Sequence, residues 1–410
     1  MSEQNTLAFR HYFFLWFGAA VSVAEILAGG LLVPLGFTGG LTAILLGHLV
    51  GTTLLVLCGL IGVRERIPAI ESTRISFGAY GSYLFSALNV LQLLGWTAVM
   101  IIAAARSVNE ISRTLWGLDS FAGWAVAIGG LIMVWIALGR EGGWKKANMA
   151  AVLLLFGLTA VLSVTVFKGG GVFAKPPAAG LSFGEGLELS VVMPLSWLPL
   201  IADYTRYART GAGAGWGSWL GYFLGSSWMY VIGLGAALAT GNADPAAMML
   251  AADLGLAALA IIVLATVTTT FMDAYSAGVS FANFPLGLSE RRVALVMTAV
   301  GTVLALVVDM EQYEAFLLAI GSVFAPLFAI LLTDYFLRRN RGVRPELLAN
   351  WGALAVWGGG VALYYRVLDL QLAVGATIPV MLATGLAYLL VGRCAEKWHY
   401  CRKSPALSPR

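Results

Sequence analysis

Polar side chains that could hold a small molecule recur inside long apolar runs of this 410-residue sequence. Asn89, Gln92 and Trp96 are spaced three and four residues apart, which places them on one face of a helix. Two amides suit the edge of a flat ligand, and an indole suits its face. The same stripe is also typical of a hydrogen-bonded seam between membrane helices, and the residues alone leave both interpretations open.

A second polar stripe lies in ATVTTTFMDAYSAGVSFANF, residues 265–284. Helical spacing puts five polar residues of this run on one face: Thr266, Thr269, Asp273, Ser276 and Ser280. The adjacent hydroxyls of Thr268 and Thr269, with free carbonyls from a broken neighbouring helix, would form an all-oxygen cage for a hard cation such as Na⁺. The alternative is that these hydroxyls bond back to their own helix.

Charged groups within apolar runs are costly and are therefore candidates for function. Glu25 is the clearest candidate, since it lies in mid-run, and Asp273 is the second. Asp203 precedes Arg206 by three residues, which favours a structural ion pair. His48 is a lone imidazole, and such a residue is more often a hydrogen-bonded packing residue than a proton relay.

The elements that must position these residues are membrane helices. The chain is 59% hydrophobic and 11% charged, against about 25% charged in an average soluble domain. A bilayer acts as the apolar solvent that such a composition requires. We predict about twelve spans of roughly 20 residues each. Their approximate bounds are 12–37, 40–62, 77–105, 120–139, 147–167, 186–208, 216–240, 254–283, 293–309, 313–337, 349–367 and 371–393.

Lysine and arginine concentrate in alternate connections, on the side that holds both termini. The positive-inside rule therefore predicts a multi-pass protein of the cell membrane with both termini in the cytoplasm. A nucleotide-binding P-loop is absent from the sequence, which argues against ATP-driven transport. The basic residues lie in short loops, so the net charge of +4 does not indicate a nucleic-acid partner.

The first and sixth spans contain helix breakers. The first carries Gly29, Gly30 and Pro34, and the sixth carries Pro194 and Pro199. The two spans occupy corresponding places in two halves of five spans, as in an inverted repeat whose discontinuous helices form a transporter's binding site. Simple kinking is the alternative for either span alone.

This pattern predicts one transmembrane domain over residues 1–393 and a cytoplasmic tail over 394–410. The first repeat covers about 12–167 and the second about 186–337. Two extra helices would follow over about 349–393.

The segments SWLPLIADYTRYA (196–208) and TTTFMDAYSAGVSFANF (268–284) resemble the nucleobase–cation symporter-1 family, the cytosine/purine permease group. The resemblance covers about 12–393 and looks closest to the CytX-type subgroup, regarded as transporters of hydroxymethylpyrimidine, a thiamine precursor. It implies an all-α membrane protein with a LeuT-like fold, in which two inverted five-helix repeats and two extra helices make twelve transmembrane helices. It also implies a midplane substrate site among spans one, three, six and eight.

The resemblance further implies coupling to a cation, typically Na⁺, and no other cofactor. Matched by position, the family's sodium ligands are the carbonyls of Gly18, Val21 and Ala265 and the hydroxyls of Thr268 and Thr269.

The family's substrate ligands match less completely. Trp96 aligns with a ring-stacking tryptophan, but the aligned glutamine position is Leu93, and Gln92 stands one residue earlier. One residue turns a side chain by about 100° around the helix. Thr270 replaces a frequent asparagine. These departures argue against plain cytosine, and the carboxylate of Glu25 would suit the amine of an aminopyrimidine.

We therefore predict a monomeric symporter in the lipid bilayer that imports a pyrimidine, preferably hydroxymethylpyrimidine, with Na⁺ or H⁺ by alternating access. The predicted substrate-binding residues are Glu25, Asn89, Gln92, Trp96, Met193, Pro194, Ser196, Trp197, Thr270 and Asp273. Cytosine, a purine, thiamine or an amino acid are the alternative ligands. A membrane-embedded enzyme is disfavoured by three dispersed histidines and no cysteine cluster. A channel is disfavoured by the broken helices and by the lack of a repeated carbonyl filter motif.

Overall fold

The first half of the chain is helical in the computed structural model, which describes residues 7–138, 143–168, 170–241, 255–308, 312–395 and 400–402. Apolar runs form helices because a helix satisfies its own backbone in an apolar solvent. The helices of this half are α1 Phe9–Ala20, α2 Val23–Gly30, α3 Gly36–Glu65, α4 Ala69–Ser72, α5 Arg74–Trp116, α6 Phe121–Leu138 and α7 Gly143–Phe167.

The second half repeats this organisation and adds a helical pair. Its elements are α8 Phe183–Leu195, α9 Leu198–Thr205, α10 Gly211–Thr240, α11 Gly255–Ala282, α12 Glu290–Ala305, α13 Tyr313–Leu332, β1 Leu347–Asn350, α14 Trp351–Leu368, α15 Thr377–Ala395 and β2 Tyr400–Arg402. The short strands β1 and β2 pair antiparallel. A π-helical turn, Thr333–Leu337, extends α13.

Each predicted span contains a helix, which confirms the all-α architecture. Within the described residues, seven helices are long and apolar enough to cross a membrane, or eight if the bent pair α1–α2 counts as one span. The number twelve therefore stays a prediction. Residues 396–399 and 403–410 of the predicted tail lie outside the described residues.

Two groups of helices recur in both halves. One group packs α1, α2 and α3 against α8, α9 and α10, and the other packs α5 and α6 against α11 and α12. Each group thus contains helices that hold corresponding positions in the two halves, as an internal repeat predicts.

Span six is interrupted beside its prolines, as predicted, whereas span one is interrupted at Val21 and Ser22, before the expected breakers Gly29 and Gly30. Helices α1 and α2 meet at a bend of 57°. Helices α8 and α9 follow one direction across the membrane and are interrupted at Ser196 and Trp197. Pro199 lies in the first turn of α9, where its missing N–H has no helical partner to lose. The prolines therefore account for the interruption of span six, whereas neither proline nor glycine stands at that of span one.

Helices α2 and α10 approach to backbone contact. A Cβ atom added to Gly29 would lie 2.2 Å from the carbonyl oxygen of Tyr230, and one added to Gly233 would lie 1.9 Å from that of Ile26. Small residues at such crossings allow close helix packing in membranes. This crossing fixes the second half of the broken first span against α10.

Glu188 ties α8 to the final helical pair. Its buried carboxylate accepts hydrogen bonds from the hydroxyls of Tyr364 (2.5 Å) and Thr377 (2.6 Å). It also accepts from the backbone N–H groups of Ala376 (2.7 Å) and Thr377 (2.8 Å), at the start of α15. An anionic group at a helix N-terminus is favoured by the helix dipole.

Candidate functional site

The amides of α5 face the break of the sixth span and α11. The Nδ2 atom of Asn89 donates to Ser280 Oγ at 2.8 Å, and the Nε2 atom of Gln92 donates to the carbonyl oxygen of Ser196 at 2.7 Å. Both amides are buried. The structure thus brings together the predicted polar residues of spans three, six and eight.

Both amides keep an oxygen free for a ligand. Asn89 Oδ1 and Gln92 Oε1 are buried and have no hydrogen-bond partner among the described residues. The carbonyl of Ser196 can only accept, so the nitrogen of Gln92 must face it and the oxygen must face away. A buried acceptor without a partner costs about 1–3 kcal/mol. A ligand that carries N–H groups would recover this cost.

Two indoles pack near these amides. Trp96 is 7% exposed and meets the rings of Tyr313 and Phe316 edge to face, with centroid distances of 6.2 and 5.4 Å. Trp197 is also 7% exposed and meets Trp16 edge to face at 5.6 Å. Both indoles belong to the same buried core. Both indoles are therefore held at steep angles to their aromatic neighbours.

The remaining predicted substrate residues are buried but face different neighbours. Met193 and Pro194 lie in the last turn of α8, and the ring of Pro194 packs on Gly51 of α3. Thr270 of α11 has a buried hydroxyl without a partner in the described part of the chain. Asp273 is 3% exposed, on the same helix.

Glu25 faces α10. Its Oε1 accepts from the hydroxyl of Tyr222 at 3.0 Å, and its Oε2 lies 2.6 Å from the hydroxyl of Ser226. The residue is 2% exposed. The structure therefore groups this carboxylate with α10, whereas the amide pair contacts α11 and the break of the sixth span. Contact between Glu25 and a substrate stays a prediction.

The break between α1 and α2 releases two carbonyls. The N–H of Ser22 bonds to Ala20 O at 3.0 Å, although a continuous helix would pair it with Gly18. The N–H of Glu25 bonds to Ser22 Oγ at 3.3 Å, although a continuous helix would pair it with Val21. Gly18 and Val21 are the two carbonyls that the family resemblance assigns to sodium.

The α11 side of this candidate cation site also presents oxygen. Ala265, Thr268 and Thr269 are buried, and Val21 and Ala265 share one hydrophobic cluster. Thr268 donates to Leu264 O at 2.9 Å and to Ala265 O at 3.1 Å, so this hydroxyl bonds back to its own helix. Its lone pairs still allow it to accept a cation. Thr269 Oγ1 has no partner within the described ranges. Neutral oxygens of this kind suit Na⁺.

A cavity of about 350 Å³ lies at the end of α11. Its lining includes Glu71, Arg74, Arg206, Ser280 and Asn283, and Ser280 is the hydrogen-bond partner of Asn89. The cavity ends among exposed residues such as Glu290. The cavity therefore extends from one surface to Ser280, which separates it from the amide of Asn89.

Asn283 lies at this mouth, and sequence reasoning missed its role. Its Nδ2 donates to Ser82 Oγ at 2.7 Å and to Ser86 Oγ at 2.9 Å, which joins the end of α11 to α5. The only sequence signal was its place in the FANF ending of the family-like segment.

Matched helix groups around two interrupted spans, with buried amides and hydroxyls at the interruptions, define a membrane transporter. The chain belongs to the family described as permeases for cytosine/purines, uracil, thiamine and allantoin, which matches residues 1–390. The predicted membership of the nucleobase–cation symporter-1 family is confirmed, and the relatives are permeases, not enzymes.

Two relatives cover most of the chain. The cytosine permease of Escherichia coli K12 is 28% identical over 358 aligned positions, and the match covers 85% of this chain and 84% of the relative. The hydantoin permease of Microbacterium maritypicum is 24% identical over 416 aligned positions, and the match covers 94% of this chain and 84% of the relative.

Solved structures share the fold. Mhp1, a nucleobase-cation-symport-1 family transporter, in a closed conformation with bromovinylhydantoin bound, has a TM-score of 0.84 at 21% identity, covering 97% of this chain and 94% of that one. Inward-facing Mhp1 has a TM-score of 0.79 at 21% identity, covering 95% and 92%. A Na⁺-coupled sialic acid symporter has a TM-score of 0.71 at 13% identity, covering 98% and 92%. The LeuT-like architecture expected from the sequence is thereby confirmed.

Proposed function

We propose that this protein imports hydroxymethylpyrimidine, an aminopyrimidine, together with a cation by alternating access. The observation that carries the proposal is the pair of unpartnered amide oxygens, Asn89 Oδ1 and Gln92 Oε1, one helical turn apart on α5 and on the face that carries Trp96. These groups call for a flat ligand with N–H donors on one edge.

An aminopyrimidine meets these requirements. Its amine donates to the oxygens of Asn89 and Gln92, and its ring stacks on the indole of Trp96. The unpartnered hydroxyl of Thr270 is available for the hydroxymethyl group. Glu25 would have to leave Tyr222 and Ser226 to reach the ring, so the proposal assigns the amine to the amides. Relatives named for cytosine and hydantoin fit a flat ring that carries N–H groups.

Sodium would bind between the break of span one and α11. The carbonyls of Gly18, Val21 and Ala265 and the hydroxyls of Thr268 and Thr269 would hold it. The ion would fix the break between α1 and α2 against α11, and α11 also carries Thr270 and Ser280 of the substrate site. Binding of the ion and binding of the substrate would therefore favour the same state, which is a coupling free energy between the two sites.

The proposal places one copy of the chain in the cell membrane, with both termini in the cytoplasm. The charge distribution of the loops supports this orientation.

Uptake into proteoliposomes tests the proposal. Labelled hydroxymethylpyrimidine is offered with an inward Na⁺ gradient, an inward pH gradient, both or neither, and cytosine, thiamine, hydantoin and a purine serve as competitors. We expect gradient-driven accumulation and at least about tenfold better competition by hydroxymethylpyrimidine than by cytosine. Stronger competition by cytosine would identify a cytosine permease instead. Uptake that ignores both gradients would reject the coupling.

A further inference from the structure

A hydrogen-bonded chain crosses three helices outside the amide site. Ser226 of α10 lies between Glu25 of α2 and His48 of α3, with Ser226 Oγ 2.6 Å from Glu25 Oε2 and 2.5 Å from His48 Nε2. The Nδ1 atom of His48 lies 2.9 Å from the carbonyl oxygen of Ile44. All three side chains are buried, with exposed fractions of 0–2%.

The protons of this chain can be counted. The carbonyl of Ile44 only accepts, so Nδ1 of His48 carries a hydrogen. If Glu25 were ionised and His48 neutral, Ser226 would have one hydrogen for two acceptors. One of its two short contacts would then join lone pair to lone pair. One additional proton, on Glu25 or on His48, gives each contact its hydrogen.

Both placements of that proton leave the three hydrogen-bonded side chains without net charge. In one, Glu25 donates to Ser226 and Ser226 donates to Nε2 of a neutral His48. In the other, an imidazolium donates to Ser226, and Ser226 donates to the Glu25 carboxylate. A shift of the two shared hydrogens along the chain converts one placement into the other without breaking a heavy-atom contact.

We infer that Glu25, Ser226 and His48 form a proton-binding site, and that the proton is a coupling ion in addition to sodium. This inference rests on the proposed function where it concerns coupling. The site binds a proton from water on one side of the membrane and returns it to water on the other.

The surroundings of the chain supply donors but no balancing charge. Tyr222 and Tyr230 of α10 face it, the first through its bond to Glu25 and the second through its ring, 4.7 Å from that of His48. Tyr313 of α13 faces α2. In the described residues no lysine or arginine forms an ion pair with Glu25. The added proton is therefore what balances the carboxylate.

The hydrogen-bonded chain of Glu25, Ser226 and His48 is also connected to the substrate site. Tyr313 donates to the carbonyl of Ala24 at 3.1 Å, next to Glu25, and its ring meets that of Trp96 at 6.2 Å. Helix α2 packs on α10 through this same region. Loss of the proton would leave a buried carboxylate uncompensated and loosen α2 from α10. Such a change reaches Trp96 through Tyr313.

A variant that mimics the protonated state tests the coupling. Glu25→Gln keeps a donor to Ser226 and so satisfies the chain without the added proton. In proteoliposomes we expect it to exchange labelled substrate without a gradient and to lose at least about tenfold of the accumulation driven by a pH gradient. Sodium-driven accumulation should remain.

Ser227→Ala is the matched control, because it removes a buried hydroxyl of α10, the helix of Ser226, that has no partner among the described residues. Equal pH-driven accumulation in Glu25→Gln and Ser227→Ala would overturn the inference, as would a wild type that ignores the pH gradient.

A second measurement needs no substrate. The sequence has three histidines, at positions 11, 48 and 399, so nitrogen-15 histidine NMR resolves His48, and His48→Gln assigns it. We expect the His48 nitrogen signals to shift with pH, because loss of the proton changes either the protonation of Nε2 or its hydrogen bond to Ser226, and to be constant with pH in Glu25→Gln. Signals that are constant with pH and equal in both proteins would overturn the proton site. If hydroxymethylpyrimidine is not transported, the proposed function fails, and this spectrum still decides on the site.

Discussion

The side-chain nitrogen of Gln92 donates a 2.7 Å hydrogen bond to the backbone carbonyl of Ser196. That carbonyl is available because the helix is interrupted there: the N–H of Leu200, its partner in a continuous helix, bonds to Trp197 O instead. The contact joins α5 to the break and aims the oxygen of Gln92 away from it. An interruption in one helix thus orients a ligand group on another.

Replacing Gln92 by leucine tests this oxygen as a substrate ligand. We expect Gln92→Leu to weaken hydroxymethylpyrimidine binding about fivefold, since one hydrogen bond to the ligand contributes roughly 1 kcal/mol. Quenching of tryptophan fluorescence measures the Kd. Gln312→Leu is the matched control, because Gln312 is exposed and its side chain does not cap α13. An unchanged Kd in Gln92→Leu would remove this residue from the site.

Trp96 is expected to supply the stacking surface. Trp96→Ala should cost about 1–3 kcal/mol of binding, the range observed for stacking of a base on an aromatic side chain. Trp96→Phe should recover part of the loss. The control is Trp216→Ala, since Trp216 is 62% exposed. Isothermal titration with the purified protein gives the affinities, and similar values for the two alanine variants would contradict stacking on Trp96.

The hydroxyl of Thr269 is predicted to bind sodium. Its hydroxyl has no partner among the described residues, so Thr269→Ala removes a cation ligand without breaking an internal hydrogen bond. We expect the Na⁺ concentration for half-maximal substrate binding to rise about tenfold, as for the loss of one favourable ligand. Thr269→Ser should restore it.

The control for the sodium experiment is Thr298→Ala on α12, where the hydroxyl bonds to Ala294 of its own helix. If Thr269→Ala and Thr298→Ala have the same sodium dependence as the wild type, the cation binds elsewhere.

Glu188 is predicted to act on stability. Glu188→Ala leaves buried donors of Tyr364, Ala376 and Thr377 without their acceptor. Each unpaired donor costs about 1–3 kcal/mol, so we expect a loss of at least about 3 kcal/mol and a lower Tm in detergent. Glu185→Ala should cost less, because Glu185 is partly exposed and serves mainly in a capping box with Ser182. Equal Tm values for the two variants would refute the assignment.

The sequence by itself determined which helices carry polar stripes and where the sixth span is interrupted. Hydrogen-bonding groups are costly in a bilayer, so Asn89 and Gln92 stand out against their apolar surroundings. Proline acts on its own helix, so the interruption of span six was predictable from Pro194 and Pro199. The interruption of span one lies at Val21 and Ser22, before the glycines that were expected to mark it. The fold was predicted from the residues that resemble the family motifs.

Only the tertiary structure decided the partners. Asp203 was expected to pair with Arg206, yet its Oδ1 accepts from the backbone N–H of Ala69 at 3.0 Å. His48 looked like an isolated packing residue, and Ser226 links it to Glu25.

These partnerships lie between helices that are far apart in the chain. The relative depth and rotation of the helices decide which side chains meet, and close crossings such as Gly29 on the backbone of Tyr230 set that register. Helical periodicity describes one helix at a time and carries no information on this register.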